Sequence, residues 1–208
     1  MKPITVTLDA IRKAQPCEDG WEKLLKSLGK TKADSEPLPL ITILESNGVE
    51  DAIWCLRCMH SSELYLGGMF AAACAEAALS GMKNPDKRLR NCIRVARQCS
   101  LGLCSKENAD LAAHAAYADI AARSADAADA VYSAAYAASA ARAARSADYA
   151  DLADYTAEAV SAANAVSADF AAIRAARASA IFRSYFGTPK TKKQYIKMFK
   201  LESENNKQ

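Results

Sequence analysis

The stretch from Lys106 to Phe186 contains no Gly and no Pro, and Ala is by far its commonest residue. Ala has the best intrinsic helix propensity, and Gly and Pro are the residues that break helices, so the local bias across the whole stretch is helical. At about 1.5 Å per residue, one unbroken helix of this span would reach about 120 Å. A compact chain of this size has a radius of gyration of about 17 Å. Folding back into several helices is therefore the expected arrangement, with one or two long helices as the alternative.

A weak internal repeat suggests where the folds fall. Arg123-Ser124-Ala125-Asp126, Arg145-Ser146-Ala147-Asp148 and Val166-Ser167-Ala168-Asp169 are related in pattern. Ser is a good N-cap, and Asp in a first turn suits the positive end of the helix dipole. The three sites read as helix starts in a stack of antiparallel helices of about 20 residues each. Ala lets helix backbones approach closely but buries little area, so larger residues must hold the register. Tyr117, Tyr132, Tyr136, Leu152, Tyr155, Val160, Phe170, Ile173, Phe182 and Phe186 are the expected anchors, several of them at helical spacing.

The rest of the chain carries clear punctuation. Thr7 is placed to cap a helix from Leu8 to Ala14, and Pro16 ends it. An apolar stripe of Trp21, Leu24, Leu25 and Leu28 stops at Gly29; a polar loop runs from Lys30 to Pro39; Leu40 to Ser46 is a helix stopped by Asn47-Gly48. Helical pattern resumes from Val49 to Met59, and again from Ser61 or Ser62 through Gly67-Gly68 to Leu79. Glycines inside an apolar helix imply a kink or a close helix contact. Asn84-Pro85 reads as a cap with a first-turn proline, opening a helix to about Ser100 that Gly102 closes, after which Ser105 caps the Ala-rich region. Beyond Gly187 and Thr188-Pro189 lies a basic amphipathic segment with Tyr195, Met198 and Phe199 on one face, and Glu202 to Gln208 read as disordered. No segment alternates in the manner of a strand, so the expected fold is all-α. Its regions are short N-terminal helices (1–104), an Ala-rich antiparallel bundle or stack (105–186) and a basic tail (187–208).

Charge and cysteine usage bound the compartment and partners. The net charge of +3 is unevenly spread, and only the residues after Phe186 are basic enough to suggest an anionic partner. No signal peptide pattern and no apolar run of membrane-spanning length is evident. With seven cysteines and no secretion signal, a reducing, cytoplasmic setting is expected.

Little in the sequence points to catalysis. Cys55 and Cys58 form a CxxC, with Cys74, Cys92, Cys99 and Cys104 within fifty residues. A structural zinc site ordinarily shows two tight pairs, so these thiols read as small buried hydrophobes, and no metal or cofactor is expected. The two histidines, His60 and His114, have no evident nucleophile beside them. There is no Walker loop, GxGxxG or HExxH, and no enzymatic activity is expected. Asp151, Asp154 and Glu158 share a helix face, read as solvated or paired with neighbouring helices; Arg174 and Arg177 form a smaller basic one.

One resemblance adds to this reading. Asp51-Ala-Ile-Trp54-Cys55-Leu56-Arg57, Ala73-Cys74-Ala75-Glu76-Ala77-Ala78-Leu79, Asp86 and Arg88 before Val95-Ala96-Arg97, and Gly102-Leu-Cys-Ser105-Lys-Glu107 occur in that order. This series resembles a group of all-helical phage and bacterial immunity proteins across residues 49 to 186, by composition alone beyond Glu107. Those relatives often place Trp in the Ala tract where this chain has Tyr and Phe. The resemblance implies binding and neutralising a toxin or effector, with no shared catalytic residues to transfer. In a phage setting it would also suit an inhibitor of a host defence complex, such as an anti-CRISPR. The expected function is therefore stoichiometric inhibition of a protein partner. The residue types enriched in binding hot spots nominate Arg142, Arg145, Tyr149 and Tyr155, with Asp151 and Asp154 beside them and Lys190, Lys192 and Lys193 in the tail. The alternatives are a nucleic-acid-binding accessory protein using that tail, and a structural homo-oligomer.

Overall fold

In the computed structural model of the chain, the described residues are 2–80, 87–117, 136, 138–140, 142–143, 145, 148–165 and 171–205. The fold is all-α, with one two-stranded antiparallel pair, β1 (Thr5–Val6) and β2 (Leu38–Pro39), joining Thr5 to Pro39 and Val6 to Leu38.

The first helices start and stop where local chemistry dictates. In α1 (Leu8–Lys13) the Thr7 hydroxyl accepts from the Ala10 amide at 3.1 Å, satisfying one of the orphan donors of a helix start. Helix α2 (Glu18–Leu28) ends at Gly29, whose φ of 63° is left-handed and carries no penalty without a Cβ. Helix α3 (Leu40–Asn47) stops at Gly48 with φ 104°. Helix α4 (Val49–Trp54) is shorter than its pattern suggests: the chain tightens into a 3-10 turn at Cys55–Cys58, and a second such turn, Ser61–Glu63, is capped by the His60 ring rather than by serine.

Helix α5 (Tyr65–Leu79) is the centre of the molecule. It is apolar nearly all round, with Leu66, Met69, Phe70, Cys74, Ala78 and Leu79 among its buried residues, the signature of an enclosed helix. Helices α6 (Lys87–Ser100), α8 (Tyr149–Ala165) and α9 (Ala171–Phe182) pack around it, and α7 (Lys106–Tyr117) packs on α6. Gly67 of α5 admits a neighbour: a Cβ there would sit 3.0 Å from Leu152 of α8. Close helix contact, rather than a kink, accounts for it.

Arg183–Gly187 form a π-helical turn beyond α9. There Phe182 and Phe186 join Phe70 of α5 in a trio with ring centroids 5.4, 5.7 and 4.4 Å apart. Such aromatic pairs add about 0.5–1.5 kcal/mol each beyond burial. The Phe186 carbonyl accepts from the Ile4 amide, and the Ile4 carbonyl from Leu40. One hydrophobic cluster consequently runs from Ile4 through the Ala-rich helices to Tyr195. Helix α10 (Lys192–Asn205) opens with Thr191 and Gln194 in a reciprocal cap. It continues to Asn205, past the point where the sequence reads as disordered, and Tyr195, buried against Tyr65 and Tyr185, anchors its first turn.

The Ala-rich stretch is divided into separate helices. Ser105 caps α7, accepting from the Asn108 amide at 3.4 Å. Residue 145 is helical and Asp148 is not; the Asp148 carboxylate accepts from the Asp151 amide at 3.2 Å. Asp148 therefore caps α8, two residues beyond the expected Ser146. Among the expected anchors, Leu152, Val160, Phe182 and Phe186 are buried, and Tyr136 stacks on Tyr155 with centroids 6.4 Å apart. Ser124, Ser146, Ser167, Tyr132, Phe170 and the Asn84-Pro85 cap lie outside the described residues, as do the side chains of Tyr117, Ile173 and Arg174.

Candidate partner-binding surface

The α6–α7 junction is shaped by its last helical turn. Leu103 donates its amide to the Gln98 carbonyl at 2.8 Å and Gly102 donates to Cys99 at 2.9 Å, with Gly102 at φ 76°. This double bond pattern satisfies carbonyls at the end of α6 from within the chain. The bare Gly102 Cα is then approached by two cations from elsewhere in the sequence. A Cβ at Gly102 would lie 3.0 Å from Arg145 Nη1 and 3.4 Å from Lys192 Nζ. The two nitrogens are thus within about 6.4 Å of each other, the sum of those two distances.

Neither cation has a carboxylate partner among the described residues. Lys192 stands at the first position of α10, where the helix dipole already disfavours positive charge. Burial, and after it the Arg145 charge, hold the Lys192 ammonium below the usual lysine pKa. Beside this pair Leu103 is 42% exposed, an uncommon state for a large apolar side chain in this fold.

The other nominated residues are engaged internally. Arg142 is half-buried and bridges Asp110 of α7 at 3.2 Å and Asp151 of α8 at 3.7 Å. Asp154 pairs with Arg57 at 2.9 Å, and that guanidinium lies 4.4 Å from the Trp54 ring centroid. The shared carboxylate face of α8 therefore divides between links to neighbouring elements, through Asp151 and Asp154, and the exposed Glu158. Tyr149 and Tyr155 are half-buried against the core rather than presented outward. Lys190 accepts the Tyr65 hydroxyl on its carbonyl at 3.0 Å and holds its ammonium 5.9 Å from the Tyr195 ring. Lys193 is exposed on α10, in line with Lys197 and Lys200.

Structure thus brings together Arg145 and Lys192, which the sequence places in two unrelated patches. It adds Gly102 and Leu103, whose part was not legible: Gly102 is visible only as a helix stop, and nothing local marks Leu103 as uncovered.

None of the seven cysteines forms a disulfide. Burial pushes Cys74, Cys92 and Cys99 up to about 12 and Cys58 to about 11, and raises Cys55 further still. Thiols so raised are protonated at neutral pH and poor nucleophiles. No group of three or more His, Cys, Asp or Glu residues is gathered to hold a metal ion among the described residues. No helix among them is long and apolar enough to cross a membrane.

Comparison of the chain with protein-family models, with curated proteins and with solved structures found no match.

Proposed function

We propose that this protein is a non-enzymatic, stoichiometric binder that inhibits a protein partner, of the kind an immunity protein or a phage anti-defence protein represents. The observation that carries the reading is the convergence of Arg145 and Lys192 over Gly102, beside the exposed Leu103. Two cations held close, with no carboxylate partner among the described residues, are poised for an acidic partner group, and an adjacent uncovered leucine supplies the apolar contact. Charge-assisted bonds of this type are roughly twice as strong as neutral ones, and Arg is enriched in binding hot spots. The raised thiols and the internally committed carboxylates favour recognition over chemistry.

Affinity capture from nuclease-treated bacterial lysate under reducing conditions tests the reading. A single dominant protein, retained near equimolar ratio, is the expected result. Recovery of only nucleic acid, or of the chain alone, would overturn it.

A second reading rests on a separate feature. Lys193, Lys197 and Lys200 follow one face of α10, as phosphate-contacting lysines would. Binding that weakens steeply with salt and survives charge reversal of Arg145 would favour a nucleic-acid partner.

A further inference from the structure

At the opposite side of the sequence from the cationic junction, α1, α2, α3 and α4 line a partly open cavity of about 140 Å³. Its walls are apolar and partly aromatic: Trp21, Trp54, Ile11, Leu24 and Ile43. A dry apolar cavity of about 150 Å³ is large enough to hold benzene, so the space suits a fragment-sized molecule.

The polar atoms on the wall are acceptors. Asn47 spends both amide hydrogens, one on the Gly20 carbonyl and one on Asp51 Oδ2, each at 2.8 Å, and its own Oδ1 accepts from Ser46. Asp51 receives that one bond and has no cationic partner among the described residues. The nearby cations are committed elsewhere: Arg57 to Asp154, Arg12 to Glu18 at 3.5 Å, and Lys23 to the Asn47 carbonyl at 3.1 Å. A half-buried carboxylate with no cationic partner among the described residues therefore faces an aromatic-walled space.

Both indoles already serve as platforms for positive charge. The Arg12 guanidinium stands 5.4 Å from the Trp21 ring centroid, and Arg57 stands 4.4 Å from that of Trp54. Gly20 keeps the carboxylate clear. It sits inside α2, where Gly is disfavoured relative to Ala, and a Cβ there would lie 3.0 Å from both Asp51 Oδ2 and Cys17 Sγ.

We propose that this cavity binds a small organic cation, an ammonium carried on an aromatic or branched apolar group, with the apolar part against Trp21 and Trp54 and the ammonium on Asp51. Cys17, exposed at the start of α2, lines the same space.

Trp21 and Trp54 are the chain's two tryptophans, so intrinsic fluorescence reads the site directly. The full chain is titrated with benzylamine, toluene and benzoate. Benzylamine, present as its ammonium, is expected to saturate and to bind about tenfold more tightly than toluene, as a hydrogen bond to a charged group supplies; benzoate is expected to bind more weakly than either. Asp51→Asn should erase the tenfold preference, and Gly20→Ala should weaken both benzylamine and toluene. Equal affinity for benzylamine and toluene, or no saturation with benzylamine, would overturn the proposal. Should Asp51→Asn fail to fold, the rate of Cys17 alkylation by iodoacetamide in the unaltered chain decides. Slowing by saturating benzylamine supports the site, and an unchanged rate overturns it.

Discussion

Helices α5 and α8 lie against each other yet are held by different means. α5 is fixed by bulk: Leu66, Met69, Phe70 and Leu79 fill space on several sides. α8 buries Leu152, Ala153, Thr156, Ala159 and Val160, of which only two are large and apolar. An Ala face permits close approach but removes little surface from water. Its register is set instead by one knob, Leu152 over Gly67, and by polar links from its own ends and neighbours, Asp148, Arg142–Asp151 and Arg57–Asp154. Ala-rich helices, on this view, are positioned by a few contacts and leave the remaining polar groups free for a partner.

The largest effect should come from the bulky side of this contrast. Phe182→Ala is expected to destabilise the fold by about 3–5 kcal/mol, measured by urea denaturation, because it empties the aromatic trio around Phe70. A loss below about 1 kcal/mol would mean that the trio is not a packing centre. On the Ala-rich side, the knob itself is tested by context. Gly67→Ala gains helix propensity of about 1 kcal/mol but meets Leu152; it should therefore be more favourable by about 1 kcal/mol in a Leu152→Ala background than in the unaltered chain. Equal effects in both backgrounds would dissolve the knob.

A buried hydroxyl offers a change of opposite sign. Thr156 is fully buried and its Oγ1 has no hydrogen-bond partner among the described residues. Since an unsatisfied buried hydroxyl costs about 1–3 kcal/mol, the isosteric Thr156→Val should stabilise by about 1 kcal/mol, seen as a raised Tm. The smallest effect belongs to the surface link. A double-mutant cycle of Arg57→Gln and Asp154→Asn should return a coupling of about 0.2–1 kcal/mol, since Asp154 remains 68% exposed.

Much of the fold was legible because helix ends are written locally. Thr7, Gly29, Gly48, Gly102 and Ser105 each act through bonds or dihedrals within a few residues of themselves, so sequence alone could assign them. The cap of α8 was misplaced because Ser146 and Asp148 are both competent, and only the path of the chain selects between them. Docking of the last helix was half legible: its aromatics at helical spacing mark an apolar face, but nothing local names Tyr65 and Tyr185 as the partners of Tyr195. The centrality of α5 was not evident either: an apolar run says that a helix is enclosed but not by what. Of the nominated binding residues, Arg142, Asp151 and Asp154 proved to be internal links. Arg145 and Lys192 gained their meaning from meeting at a glycine that neither neighbours in sequence.

The most direct test of the account is therefore a charge reversal at that meeting point. Arg145→Glu with Lys192→Glu is compared with the unaltered chain in the same nuclease-treated capture, with thermal unfolding as the control for folding. The account predicts that the protein partner is lost while Tm changes little, because neither side chain is tied into the core. Undiminished capture by the reversed variant would contradict it.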